Sequence, residues 1–199
     1  MRNLTNTKKF MGTISMRTKD VLNARKTKPS EFDEWATRVT VDILNEAIPV
    51  VNDFLNIPVE LRTVPVLVYE YSQMTFDKML SGKRITAVKC GEFFMGIDGS
   101  KVVRIFTKEI GHISFKMKYR YISILVEHLA HEYTHYTQYL KDGEKLYNMG
   151  QVEEKLFAVS NMKEYKMLDI EKEAFASGKK FRKENKELIM SLYNKYKDR

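Results

Sequence analysis

Two histidines frame the run His131-Glu132-Tyr133-Thr134-His135, and a third, His128, lies three residues upstream. On a helix, residues i and i+4 share one face, so His131 and His135 can aim two imidazoles at one point. Glu132, one step round, can hold a carboxylate beside that point. Two neutral imidazoles suit zinc (Zn2+), and the adjacent carboxylate suits a general base for a metal-activated water. Chance supplies about 0.01 copies of such a pattern in a chain with four histidines, which makes the signal specific. Upstream, Tyr121, Ile122, Ile124, Leu125 and Leu129 mark a buried helix. Polar side chains inside it need partners. The plainer alternative is a pair of core histidines satisfied by hydrogen bonds.

A zinc site of this kind needs a third protein ligand and one open position. No histidine follows His135. His112 and His128 precede it, but three ligands from one helix segment give poor tetrahedral geometry, so His128 is expected beside the site or in plain packing. The stronger candidate lies in Leu168-Asp169-Ile170-Glu171-Lys172-Glu173-Ala174-Phe175. At about 100° per residue, Met167, Ile170, Ala174, Gly178 and Phe181 form one stripe, with Glu171 inside it. Glu173 lies roughly 240° round from Met167, on the side of Lys180. A carboxylate within an apolar stripe is costly unless paired, and a zinc ion would pair it. Glu171 is the expected third ligand, Glu173 the alternative two residues away and otherwise a solvated residue.

These residues need elements to hold them. Ser30 is a plausible N-cap for a helix whose apolar stripe runs Phe32, Trp35, Ala36, Val39, Ile43, Ala47 and Val51, with Pro49 expected to kink or split it. Residues 64–71 are β-branched and aromatic, as a strand should be. A short helix is expected over 73–80, stopped by Ser81-Gly82. Further strands are expected over 85–90, 92–97 and 102–106, with a hairpin turn at Asp98-Gly99-Ser100. The motif helix should span 116–140 and end at Lys141-Asp142-Gly143. Later helices are expected over 151–161 and 165–195. The sum is an α+β fold: a small mixed sheet packed on the motif helix, with additional N- and C-terminal helices.

Length and composition are compatible with that plan. The 199 residues can bury one sizeable core, and 43% hydrophobic content argues for a folded chain. A single cysteine, Cys90, excludes an intrachain disulfide framework and a cysteine-rich zinc site. No apolar run approaches the roughly 20 residues needed to span a bilayer. No secretory h-region is visible, so an intracellular, cytoplasmic protein without membrane contact is expected. The net charge of +8 is concentrated at the ends. Residues 1–29 hold eight Lys/Arg against one acid, and 179–199 hold eight against three, while the body is acidic. Residues 1–29 read as a basic, flexible arm able to contact nucleic acid through phosphates, or as a solvated tail without a partner. Residues 30–199 read as a single domain.

H-E-Y-T-H followed by E-K-E-A, 171–174, resembles the glutamate-ligand zinc metallopeptidases (gluzincins), and the E-x-E-A form resembles the ImmA/IrrE-type peptidases and zincin-like proteins of bacteria and phages. The resemblance covers about 121–178. It implies a zincin-like fold, His131, His135 and Glu171 as zinc ligands, Glu132 as catalytic base, and hydrolysis of a protein or peptide substrate. Ala174 matches the small residue three after the ligand. Phe175 replaces the Asn or Asp that often orients a histidine, and Thr134 stands where many relatives have Gly. An oxyanion donor is expected, with Tyr147 and Tyr165 as possibilities. The rival expectation is a catalytically silent zinc-binding module acting through its basic ends on nucleic acid or protein. Were the source viral, a virion-associated protease would join the two readings.

Overall fold

A computed structural model of the chain describes residues 30–82, 88–96, 98–158 and 162–199. The basic arm at 1–29, with its expected nucleic-acid contact, and the first half of the strand expected over 85–90 lie outside these residues; 88–90 are described and are not strand.

Helix α1 (Glu31–Phe54) opens with a capping box: Asp33 N donates to Ser30 Oγ at 3.3 Å, and Ser30 N donates to Asp33 Oδ2 at 3.2 Å. It runs through Pro49 without the expected split. Pro49 and Asn45, four residues earlier, are both exposed, so the carbonyl that loses its partner faces water. The buried face carries Trp35, Val39, Ile43, Ala47 and Val51.

Strand β1 (Val66–Tyr69) leads to α2 (Gln73–Leu80), capped by Ser72 and bounded as its sequence predicts. Strands β2 (Gly91–Met95) and β3 (Lys101–Phe106) form the expected antiparallel hairpin, with Gly99 at φ +77° in its turn. The mixed sheet has the order β1-β3-β2, with β1 parallel to β3. Val66, Val68, Val103, Ile105 and Phe93 share one face by register, and its buried members belong to the core.

A short helix the sequence reading did not anticipate, α3 (Thr107–Ile113), follows β3 directly. Its Glu109 is buried and accepts backbone N–H bonds from Ser72 and Lys89, tying two loops to one carboxylate. Burial pushes its pKa up against those hydrogen bonds.

The motif helix α4 (Lys118–Lys141) is the central element. It lacks a side-chain N-cap, so its stability comes from tertiary burial rather than from its ends. Tyr121, Trp35 and Phe32 form an aromatic cluster with centroids 5.3–5.5 Å apart. Helices α1, α7 and α8 and strand β2 all pack on α4.

After Asp142 the chain re-enters helix at once as α5 (Gly143–Ala158), eight residues earlier than expected. A short helix, α6 (Met162–Tyr165), ends where the single helix expected over 165–195 should begin, and that helix is two: α7 (Asp169–Glu184) and α8 (Lys186–Tyr196). Met167 consequently precedes α7 and is 60% exposed, so it does not belong to that helix's buried stripe. Trp35 Nε1 donates to the Tyr196 carbonyl at 2.8 Å, which fastens α8 to α1.

Candidate metal centre

His131, Glu132 and His135 lie in the buried middle of α4, and none is more than 6% exposed. Their ligand atoms fall within 4.8 Å of one another, a group able to hold a metal ion. The two Nε2 atoms are 3.1 Å apart. From α7, Glu171 brings Oε1 to 3.2 Å from His135 Nε2 and Oε2 to 3.5 Å from His131 Nε2. Glu171 is 1% exposed, whereas the Glu173 side chain is 54% exposed and faces Lys141. Of the two carboxylates, Glu171 is the one that meets the histidines.

Helix α7 reaches α4 because its contact face is small. Ala174 is fully buried three residues after Glu171. At Gly178, two turns on, an added Cβ would lie 2.7 Å from the Glu127 carbonyl oxygen and 3.5 Å from His131 Cβ. Arg182 then bonds Glu127 at 2.6 Å, closing the far end of the contact. Strand β2 approaches from the other side. A Cβ at Gly91 would stand 2.9 Å from both Cγ and Oε1 of Glu132. Two residues on, the Phe93 ring packs on Tyr136 and Tyr139 at 5.8 and 6.0 Å, so β2 runs alongside α4.

Burial dominates the electrostatics. It holds the His131 imidazole well below its ordinary pKa, helped by repulsion from His135 and His128, so His131 is neutral near pH 7. It pushes Glu132 up to about 8, with Glu171 and Glu92 adding to the shift and His135 and Lys89 opposing it. Glu171 Oε2 is buried without a hydrogen-bond partner. An orphaned carboxylate oxygen beside the His131 imidazole, on a carboxylate whose other oxygen faces His135, is costly by itself and is what a cation would relieve. Tetrahedral zinc with bonds of about 2.0–2.1 Å sets its ligand atoms roughly 3.3 Å apart. The observed separations of 3.1, 3.2 and 3.5 Å match that spacing. The residues fit zinc.

The other expected participants divide. His128 Nδ1 donates to the Ile124 carbonyl at 3.0 Å, and its ring lies 6.3 Å from that of His131, beside the centre rather than in it. His112 is exposed on α3. Phe175, at the position where a polar orienting residue is common, packs its ring on His131 with centroids 4.6 Å apart, replacing a hydrogen bond by a steric wall. Tyr165 packs on the Phe175 ring in turn, at 6.4 Å, while Tyr147 is 57% exposed on α5. Sequence reasoning missed Gln138, which is buried and hydrogen-bonded to His135. The available signal was an amide on the same helix face, three residues after a ligand-type histidine.

Against protein-family models, curated proteins and solved structures, the chain gives no match in any of the three comparisons. What stands is a zincin-type H-E-x-x-H cluster, buried in an α+β fold with a three-stranded mixed sheet among the described residues.

Proposed function

We propose that the protein is a zinc-dependent metallopeptidase of the gluzincin kind, similar to the ImmA/IrrE-type peptidases, with His131, His135 and Glu171 as ligands. The observation that carries this reading is the buried Glu171 carboxylate set against two imidazoles, with one oxygen unpartnered. Zinc held there supplies Lewis acidity toward a substrate carbonyl and lowers the pKa of a water.

Glu132 is the general base; burial pushes its carboxyl up to about 8, and the positive charge of a zinc ion held beside it would favour the carboxylate form that this role requires. Glu132 Oε1 lies 4.0 Å from His131 Nε2, close to the ligand atoms but farther from them than either Glu171 oxygen. It takes a proton from water and passes it to the leaving amine. Gly91 leaves room for that side chain by having none of its own. Among the described residues, strand β2 hydrogen-bonds β3 on one side only, so its other edge can align an extended peptide beside Glu132 by strand addition. A protein or peptide substrate suits such an edge.

The test combines metal analysis with cleavage of a quenched fluorescent peptide library by the full-length chain. Wild type should hold about one zinc, as a single three-ligand centre requires, and His131→Ala and Glu171→Ala should lose it. Glu132→Gln should keep zinc and lose cleavage. Wild type without zinc would overturn the reading. Retention in Glu171→Ala with loss in Glu173→Ala would move the third ligand two residues.

A further inference from the structure

Gln138 is 8% exposed and makes three hydrogen bonds around the centre. Its Nε2 donates to the Ile170 carbonyl at 3.0 Å and to Glu173 Oε2 at 2.8 Å. Its Oε1 faces His135 Nδ1 at 2.8 Å. The amide can point only one way. Reversed, it would set an oxygen against a carbonyl and a carboxylate at once. Both amide protons are thus committed to α7, and Oε1 can only accept.

The consequence falls on His135. Its Nδ1 must carry the ring proton to satisfy Oε1, which leaves a lone pair on Nε2. That nitrogen lies 3.2 Å from Glu171 Oε1. With the proton on Nε2 instead, His135 would donate it to Glu171 and the two groups would satisfy each other. The pocket would then be a closed imidazole–carboxylate pair, the bland alternative for buried histidines. The amide selects between a ligand and a core histidine.

We infer that Gln138, braced by Glu173 and the Ile170 carbonyl, is the positioning residue that fixes the metal-binding tautomer and ring orientation of His135. The inference rests on the zinc-site reading above. It gives Glu173 a part as well. Glu173 polarises the amide that polarises the imidazole, and such outer partners tune ligand basicity. Because Ile170 precedes Glu171, the same amide couples the register of α7 to the orientation of His135.

The test measures zinc affinity of the full-length protein by competition with a chromophoric chelator, alongside the d–d spectrum of the cobalt-substituted form. Gln138→Met keeps the side-chain length and removes every hydrogen bond. It should weaken zinc binding by about 10–100-fold and shift the cobalt spectrum. Gln138→Glu keeps an acceptor for Nδ1–H but repels the Ile170 carbonyl and Glu173. It should recover about tenfold of the loss despite a lower metal-free melting temperature. Equal losses in both variants, tracking metal-free stability, would mean a structural tie and overturn the inference. So would wild-type affinity in Gln138→Met, and the zinc-site reading would survive that result. Wild type that binds no zinc would overturn both.

Discussion

The carboxylates at 132 and 171 are both buried, yet their surroundings differ, and the proposed function gives them different tasks. Glu171 touches both imidazoles, and Glu132 stands farther off, against Gly91. Removing charge at Glu132 should therefore spare the metal. Glu132→Gln is expected to bind zinc within a fewfold of wild type and to lose about 100- to 10,000-fold in turnover, measured as kcat on a cleaved peptide. Phe175 acts at the same scale by packing alone. Phe175→Ala frees the His131 ring on one side and is expected to weaken zinc binding by about tenfold, read by chelator competition. The separation of Glu171 from Glu173 was legible in the sequence, because a helix 100° per residue apart puts one carboxylate in the apolar stripe and the other outside it. The hydrogen bond from Gln138 to Glu173 was not legible, because it joins residues 35 apart on two helices.

Two glycines set how closely the elements approach, and they separate binding from turnover. A Cβ at Gly178 would meet a backbone oxygen of α4 at 2.7 Å, which cannot swing aside. Gly178→Ala is expected to push α7 outward, cost about 1–3 kcal/mol in urea unfolding, and weaken zinc binding because Glu171 retreats with the helix. An unchanged zinc affinity would contradict this coupling. A Cβ at Gly91 meets a carboxylate side chain instead. Gly91→Ala is expected to displace Glu132 and lower cleavage while leaving the zinc content of the purified protein unchanged. Helix positions followed apolar periodicity well where one buried face ran unbroken, as in α1 and α4. The break at 166–168 carries neither Gly nor Pro and so no local signal. The one at Asn185 has a stop residue, whose Nδ2 donates to the Phe181 carbonyl at 3.0 Å, after Arg182 and Lys183 in the last turn.

At the scale of the molecule, zinc binding and the N-cap of α1 are expected to act on stability separately. A ligand that binds only the folded chain stabilises it by about 2.7 kcal/mol at a concentration 100-fold above its Kd. Zinc should therefore raise the melting temperature in a concentration-dependent way, and Glu171→Ala should abolish the rise. The Ser30–Asp33 box governs acid behaviour. Burial pushes the Asp33 carboxyl up, but hydrogen bonds from Ser30 and the charge of Lys108 outweigh it and leave the pKa lowered. A depressed carboxylate adds stability above its unfolded pKa of about 3.9 and loses it as pH falls through the folded value. The stability difference between wild type and Asp33→Asn, from urea unfolding, should accordingly be present at pH 6 and shrink as pH falls below the unfolded value and through the lowered folded one. A difference independent of pH would rule out the carboxylate as its source.

The sequence by itself determined the two imidazoles and the carboxylate of the motif helix, the buried side of α7, the N-cap at Ser30 and the β2–β3 hairpin. Each is a local matter of helical or strand period, capping or turn chemistry within a few residues. Only the tertiary structure decided that Gly178 lets α7 close on α4, that Gly91 sits on Glu132, and that Gln138 holds His135 from the far side. Those facts depend on distances between elements far apart in the chain, and periodicity carries no information about which faces meet. The H-E-x-x-H helix alone offers two imidazoles. The helix packed on it brings a carboxylate with one unpartnered oxygen against them, and together these groups are suited to hold a metal ion.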